Sequence, residues 1–256
     1  MRAYRQEQKE LKAYSSLSQA LDITWRPHMV ISLVGAGGKT SVMYRLADEL
    51  AAMGKRVIVT TSTHIFCPEN RNVLYARSAS EADNDSWNGV LVVGKTSREG
   101  KLQGLPEYEM EKLSRYADVL LIEADGARCM PIKVPEAHEP VIIPKTHLVI
   151  ACCGIDAIGH PLKDVCFRSD RGALLLNKEP EDCLTPQDAA IIMTSEMGMK
   201  KDVCSRPFRI VLNKADDLEK RELAMKVIRN IQSISDREEL CVVTSFSEED
   251  EVKECL

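Results

Sequence analysis

Seven short apolar runs recur along the chain and alternate with segments of helical periodicity. In chain order they are HMVISLV, KRVIVTT, GVLVVG, DVLLIEA, HLVIACC, FRIVLN and ELCVVTS. Runs that are apolar at nearly every position are typical of strands buried on both faces, as in a parallel sheet covered by helices. The pattern therefore predicts an α/β fold, a doubly wound and mostly parallel sheet with helices on both faces.

Three helices can be placed between these strands. The first begins near Thr40, has apolar residues at positions 43, 46, 47 and 50, and ends at Gly54. The second opens at the sequence TPQD, in which Thr185 is the predicted N-cap, a proline follows, and Asp188 completes a capping box. The buried stripe of the third consists of Ala224, Val227, Ile228 and Ile231.

Two segments depart from this alternation. Residues 91–105 form two extended pieces around the polar turn SREG, which predicts a small hairpin insertion. Residues 1–28 begin with a mixture of acidic and basic side chains and are expected to be a helical extension or a frayed end. No linker or repeat divides the rest of the chain, so residues 29–256 are expected to form one domain.

Composition narrows the possible functions. The net charge is −5 and no basic run is present, which argues against a nucleic-acid partner. No apolar run reaches the length of a membrane span, and the N-terminus lacks the apolar core of a secretory signal. We therefore expect a cytoplasmic protein that binds neither nucleic acid nor membrane.

The nine cysteines form no C-x-x-C pair, and several lie within apolar runs. Most are expected to be small buried residues in a reducing compartment. A metal or selenium site at Cys152 and Cys153 is the less favoured alternative, because adjacent residues of a strand point to opposite faces.

The segment ISLVGAGGKTSVMYRL, residues 31–46, contains a candidate phosphate-binding loop. Leu33 stands where the common G-x-x-x-x-G-K-[ST] spacing has its first glycine, but strand, glycines, Lys39, the Thr40 hydroxyl and helix follow in the required order. The shorter form G-x-x-G-K-T resembles the loop of the Mur ligases. We favour a nucleotide site over an ordinary glycine turn, and the fold is not expected to depend on a lysine of such an exposed loop. The predicted nucleotide contacts here are Gly35, Ala36, Gly37, Gly38, Lys39, Thr40 and Ser41, with Lys39 also catalytic.

A second motif, DVLLIEADGA, is a buried strand that ends in two acids, Glu123 and Asp125. Ligands gather at the carboxyl edge of parallel sheets, so both are predicted to be catalytic. The spacing to Gly126 resembles the E-x-x-G of nickel-inserting GTPases, in which the carboxylate serves Mg²⁺ and the glycine N–H serves the terminal phosphate. The alternative is a plain turn, because Asp-Gly is a common turn pair. The predicted metal ligands are Thr40, Thr61 and Glu123.

A third motif, FRIVLNKADD, follows another buried strand and matches the guanine-reading N-K-x-D pattern. An aspartate can accept hydrogen bonds from both the ring N–H and the amino group of guanine, which adenine cannot offer. The alternative is that Asp216 or Asp217 caps the next helix. Guanine is favoured, and the expected cofactors are Mg²⁺ with GTP or ATP. The predicted base-side contacts are Asn213, Lys214, Asp216, Thr244 and Ser245.

The run VIVTTSTHIF ends the second predicted strand with hydroxyls at positions 60 to 63. They are candidates to reach Mg²⁺ or the terminal phosphate, although threonine is also common in ordinary strands. His64 is a candidate to position a water or a metal, and a solvent-facing histidine is the equal alternative.

Together, VGAGGKTS, TTSTHI, EADGA, HEPVIIP, CGIDAIGHPL and LNKADD resemble the YqeC family of selenium-dependent hydroxylase accessory proteins. The resemblance extends from about Ile31 to Thr244. It implies a P-loop NTPase that takes part in the maturation of molybdenum hydroxylases with labile selenium. Such a hydroxylase, or its maturation machinery, would then be a partner. The composition and spacing themselves indicate nothing about selenium.

The family pattern also marks a possible substrate side. Arg128 and Lys133 are candidates to bind an anionic group, and His138 with Glu139 to handle a proton or a ligand. An ordered, proline-braced loop is the equal alternative. The full set of candidates is His64, Arg128, Lys133, His138, Glu139 and Arg168.

Three functional hypotheses remain open at this point. The first is a Mg²⁺-dependent GTPase whose hydrolysis drives delivery to a client enzyme. The second is a kinase or a Mur-like ligase that acts on a small substrate or cofactor. The third is a regulator that binds a nucleotide without hydrolysing it.

Overall fold

The computed structural model describes residues 1–7, 10–66, 74–83, 87–96, 101–235 and 239–246. The strands are β1 (Arg2–Glu7), β2 (Glu10–Tyr14), β3 (Met29–Gly35), β4 (Val57–Thr61), β5 (His64–Phe66), β6 (Leu74–Ala76), β7 (Val90–Val93), β8 (Lys95–Thr96), β9 (Lys101–Gln103), β10 (Val119–Glu123), β11 (Ile132–Lys133), β12 (Leu148–Gly154), β13 (Cys166–Phe167), β14 (Phe208–Asn213) and β15 (Leu240–Ser245). The helices are α1 (Leu17–Ala20), α2 (Lys39–Ala52), α3 (Ala79–Ala82), α4 (Glu107–Leu113), α5 (Leu162–Val165), α6 (Ser169–Leu176), α7 (Pro186–Thr194) and α8 (Leu218–Ile234).

A ten-stranded sheet runs through the molecule in the order β2-β1-β15-β14-β12-β3-β10-β4-β7-β6. From β15 to β6 every neighbouring pair is parallel, and only the β1–β2 end is antiparallel. All seven strands predicted from apolar runs are present. The predicted α/β fold with a mostly parallel sheet is therefore confirmed.

Helices cover both faces of the sheet, as β3 at its centre illustrates. Ile31 and Leu33 pack with residues of α2, whereas Val30 packs with α4 and Val34 with α7 and α8. Successive side chains of a strand point to opposite faces, so α2 lies on one face and α4, α7 and α8 on the other.

The expectation of a helical extension at residues 1–28 was wrong. Strands β1 and β2 form an antiparallel hairpin, and β1 adds to the sheet by pairing with β15, Ala3 opposite Thr244. The short α1 is the helix that the structure describes in this segment. The physical reason is tertiary: β15 would otherwise present an open row of N–H and C=O groups, and β1 satisfies them.

The other local predictions hold. Strands β8 and β9 pair as the predicted hairpin, with Lys95 opposite Gln103, while residues 97–100 of its turn lie outside the described residues. In α7 the Thr185 hydroxyl accepts from the Asp188 N–H, and the Asp188 carboxylate accepts from the Thr185 N–H. The N-cap of α8 is Asp217.

The described cysteines divide by burial. Cys129, Cys183 and Cys204 are exposed, whereas Cys152, Cys153, Cys166 and Cys241 are buried; Cys67 and Cys255 lie outside the described residues. Burial raises the pKa of Cys152, Cys166 and Cys241 to about 12, and that of Cys153 also rises. These four thiols therefore remain protonated at neutral pH and pack as small apolar groups.

The described part of the chain contains no group of three or more His, Cys, Asp and Glu side chains arranged to hold a metal. Nor does any helix there have the length and apolar character needed to cross a membrane.

Candidate functional site

Four neighbouring strands carry the predicted motifs to one edge of the sheet. Strands β14, β12, β3 and β10 lie side by side and run parallel, so their carboxyl ends meet. These ends are Asn213, Gly154, Gly35 and Glu123 respectively. The three sequence motifs are thus brought together at the edge where ligands bind in open α/β sheets.

The loop between β3 and α2 requires its glycines. Gly35, Gly37 and Gly38 have φ values of 93°, 68° and 108°, in the left-handed region that disfavours other residues. A Cβ on Gly37 would lie 2.0 Å from the backbone nitrogen of Gly154, and one on Gly38 would lie 2.3 Å from Nδ2 of Asn213. The loop is therefore packed directly against the ends of β12 and β14.

Helix α2 begins at this loop without a side-chain cap, because Gly38 occupies the N-cap position. The first N–H groups of a helix have no partner within the helix, and they carry the positive end of its dipole. Gly38, Lys39, Thr40 and Ser41 line a cavity at this point. The arrangement suits an anion such as phosphate.

Lys39 is buried beneath the loop, with 4% of its surface exposed. Its Nζ donates to the Gly35 carbonyl oxygen (2.6 Å) and lies 3.2 Å from Oδ1 of Asp125 and 3.6 Å from Oε1 of Glu123. Burial acts to lower the pKa of Lys39, but the two carboxylates raise it above its ordinary value. The lysine therefore stays charged, and the expectation that it lies exposed on the loop was wrong.

Thr40 and Glu123 form a hydroxyl–carboxylate pair beside this lysine. The Thr40 hydroxyl donates to Oε2 of Glu123 at 2.7 Å. Burial raises the pKa of Glu123, while Lys39 and the Thr40 hydroxyl act to lower it. Oxygen ligands of this kind suit Mg²⁺, which is usually held by one or two protein groups together with phosphate oxygens.

Asp125 connects this pair to a second lysine. Its Oδ2 accepts from the Gly35 N–H at 3.1 Å and lies 3.0 Å from Nζ of Lys133. Lys133 is fully buried, and its Nζ also donates to Oε2 of Glu139 (2.7 Å) and to the Gly126 carbonyl oxygen (2.6 Å).

The alternation of charges continues to Arg168, whose guanidinium contacts the Glu139 carboxylate. Burial acts to raise the pKa of Glu139, but Arg168 and Lys133 lower it to about 2. Glu139 is therefore ionised at neutral pH and can accept hydrogen bonds but not donate a proton. We call Lys39, Asp125, Lys133, Glu139 and Arg168 the charge chain.

The guanine-type motif is joined to the loop and to the end of β15. Nδ2 of Asn213 donates to the Gly37 carbonyl oxygen (2.8 Å), and its Oδ1 accepts from the Thr244 hydroxyl (2.9 Å). The Asp216 carboxylate accepts from the Ser245 hydroxyl at 2.7 Å. Asp217, and not Asp216, caps α8, so the capping alternative does not apply to Asp216.

A cavity of about 760 Å³ opens at this edge, within the size range of small-molecule sites. Part of its lining is the loop between β3 and α2 with Glu123 and Lys214. Another part, which we call the second wall, consists of residues 127–130, Glu139 and Phe167. The full lining is Gly37, Gly38, Lys39, Thr40, Ser41, Thr63, His64, Ile65, Glu123, Gly126, Ala127, Arg128, Cys129, Met130, Glu139, Phe167 and Lys214.

Comparison with known proteins identifies the family. A family model described as YqeC protein matches residues 31–170. The uncharacterized protein YqeC of Escherichia coli (strain K12) is 34% identical over 181 residues, which cover 68% of this chain and 71% of that protein. The chain belongs to the YqeC family. The matched residues include the loop between β3 and α2, Glu123 and the whole charge chain, whereas the Asn213 motif lies beyond the family model.

Several predicted residues of this YqeC chain do not line the cavity. The Thr61 hydroxyl donates to the backbone oxygen of Glu123 (3.0 Å) and accepts from the Thr63 N–H (3.0 Å). These hydrogen bonds stabilise the backbone of the segment that follows β4. His138 is exposed, whereas the neighbouring Glu139 points into the charge chain. Lys133 is covered completely.

Sequence reasoning missed other residues of the site. Phe167, Cys129 and Met130 line the cavity, and no periodicity or motif marked them. Asp156 holds Lys214 through an ion pair of 2.7 Å. The nearest signal was the family segment CGIDAIGHPL, which contains Asp156.

Proposed function

We propose that this YqeC chain binds a nucleoside triphosphate with Mg²⁺ in the cavity and hydrolyses its terminal phosphate. The observation that carries the proposal is the position of Lys39, buried between Glu123 and Asp125 at the uncapped N-terminus of α2. A buried cation beside free helix N–H groups and an acid–hydroxyl pair matches what triphosphate and Mg²⁺ require.

Each residue has a distinct role in this proposal. Lys39 and the first N–H groups of α2 bind phosphate oxygens, and Thr40 with Glu123 holds the metal. Bound Mg²⁺ would neutralise charge on the phosphates. Glu123 additionally orients a water for attack, since its carboxylate lines the cavity beside Thr40.

GTP is the proposed nucleotide. Asn213 fixes the phosphate loop through Gly37, and Asp216 is held by Ser245 at the next strand end. Because Asp217 provides the cap of α8, the Asp216 carboxylate is left to accept from the ring N–H and amino group of guanine.

Asp216→Asn is expected to weaken GTP binding by roughly tenfold or more, because a buried hydrogen bond is left unmade. The variant is expected to bind xanthosine triphosphate more tightly than the wild type does, because xanthine has a carbonyl where guanine has its amino group. Competition binding with GTP, ATP and xanthosine triphosphate is the measurement. Asp217→Asn is the matched control, since asparagine caps a helix about as well as aspartate. An unchanged base preference in Asp216→Asn, or a wild-type preference for ATP, would remove the guanine assignment.

Glu123→Gln and Thr40→Ala are expected to reduce hydrolysis more than nucleotide binding, because both side chains act through Mg²⁺. Phosphate release measured across a Mg²⁺ titration is the test, with the half-saturating Mg²⁺ concentration shifted upward in both variants. Ser233→Ala, which removes an exposed hydroxyl of α8 outside the cavity, is the control. If both variants keep the wild-type Mg²⁺ dependence, the metal site is elsewhere.

The biological role proposed here follows the family resemblance. Hydrolysis in the cytoplasm would drive a delivery step in the maturation of a molybdenum hydroxylase that carries labile selenium. The second wall of the cavity favours another candidate, a kinase or ligase that acts on a small substrate. Phosphate release stimulated by a protein client supports the first, and release stimulated by a small molecule supports the second.

A further inference from the structure

The cavity has a second wall that the nucleotide site leaves unexplained. Residues 127–130, Glu139 and Phe167 line the same cavity as the phosphate loop. Of the proposed base contacts, Lys214 lines the cavity, whereas Asn213, Asp216, Thr244 and Ser245 do not. The cavity therefore joins the loop between β3 and α2 to the second wall and includes little of the proposed base site.

Arg128 is the notable charge of the second wall. Within the part of the chain that the structure describes, its guanidinium forms no ion pair and lies 5.3 Å from the centroid of the Phe167 ring. Lys39 and Lys214, the two lysines of the lining, are each held by carboxylates. Arg128 therefore keeps its hydrogen-bond donors available for an anion. The cation–π contact between its guanidinium and the Phe167 ring favours a position of the arginine at the second wall.

Glu139 gives the same wall a fixed negative charge. Lys133 and Arg168 hold its carboxylate, which remains ionised at neutral pH. The wall therefore combines an anion-binding guanidinium with a hydrogen-bond acceptor, and Ala127 and Met130 add apolar surface on either side of Arg128 in the chain. This combination suits a small organic molecule with an anionic group.

We propose that the second wall binds a small organic carboxylate or phosphate ester beside the terminal phosphate of the nucleotide, with Arg128 as its counter-charge. The inference rests on the proposed nucleotide site and names the class of its second ligand. It gives the kinase or ligase candidate a location for its substrate, and the delivery candidate a location for a small effector.

Cys129 provides a reporter for occupancy of this wall. Its thiol is exposed and lines the cavity, whereas the exposed Cys183 and Cys204 do not line it and serve as internal controls. The protein is loaded with Mg²⁺ and the non-hydrolysable analogue GMPPNP and treated with N-ethylmaleimide. The alkylation rate of each cysteine is followed by peptide mass spectrometry. Phenyl phosphate and benzoate are the two probes, one for each anion class.

We expect at least one probe to slow alkylation of Cys129 saturably without slowing the two control cysteines. Arg128→Met is expected to weaken that protection by roughly tenfold or more, since a charged hydrogen bond is lost, and to leave GMPPNP affinity unchanged. Arg115→Met, which removes an exposed arginine outside the cavity, is expected to match the wild type.

Two results would overturn the inference alone: no saturable protection by either probe in the loaded protein, or a roughly tenfold loss of GMPPNP affinity in Arg128→Met. The second would mean that Arg128 contacts the nucleotide itself. Failure of the wild-type protein to bind GMPPNP would overturn the proposed function, and this inference with it.

Discussion

Replacing Lys39 with methionine is expected to lower the affinity for Mg²⁺–GTP by roughly a hundredfold, because the proposed site loses the buried charge that would contact phosphate. Methionine keeps most of the side-chain volume, so the change is chiefly one of charge. Two effects act together, since the phosphates lose a cation and the carboxylates of Glu123 and Asp125 lose the partner that separates them from each other. Titration of variant and wild type with a fluorescent GTP analogue measures the difference.

Lys55→Met is the matched control for this experiment. Lys55 is exposed just beyond the other end of α2, and its removal is expected to leave nucleotide affinity unchanged. Thermal unfolding of Lys39→Met separates lost binding from lost structure. Wild-type affinity in a folded Lys39→Met protein would contradict the phosphate role of this lysine.

Lys133→Met is expected to cause the largest loss of stability, about 3–5 kcal/mol in the free energy of unfolding, because it leaves the buried carboxylates of Glu123, Asp125 and Glu139 with only Lys39 and Arg168 to balance their charge. Lys133 is fully buried, and its Nζ lies 3.0 Å from Asp125 and 2.7 Å from Glu139. In a chain of this length such a loss lowers the melting temperature by roughly 10 °C. Chemical denaturation monitored by circular dichroism measures it.

Lys163→Met is the control, because the Lys163–Glu181 pair is solvent-exposed and such pairs contribute about 0–1 kcal/mol. The pH dependence gives a second readout. The lowered pKa of Glu139 contributes stability above its ordinary pKa of 4.5, and that contribution is lost as the pH falls toward about 2. The difference between wild type and Lys133→Met should therefore shrink over this interval. A variant as stable as the wild type at neutral pH would show that the charge chain does not support the fold.

The central sheet was predictable from sequence because its strands are buried on both faces and therefore read as unbroken apolar runs. The β1–β2 hairpin was not. Its segment RAYRQE buries Ala3 but leaves most other side chains partly exposed, so it has no clear apolar period. Its conformation depends on pairing with β15, at the opposite end of the chain. The β-propensity of the segment alone does not predict that contact.

The features of the candidate site likewise divide into those that the sequence predicted and those that it did not. The meeting of Lys39, Thr40 and Glu123 follows from motifs at the ends of adjacent parallel strands, which topology alone brings together. The burial of Lys133 does not follow from any motif, because Asp125 and Glu139, a few residues to either side in the chain, must fold back onto one ammonium group. Charge pairing across such an irregular segment becomes visible only in three dimensions.

The most direct test of the nucleotide site is calorimetric titration of the wild-type protein with GTP and with ATP, each with Mg²⁺ and with EDTA. We expect saturable binding of one GTP per chain, weaker binding of ATP, and a marked loss of GTP affinity in EDTA. Saturable binding of neither triphosphate in the presence of Mg²⁺ would contradict the proposed nucleotide site.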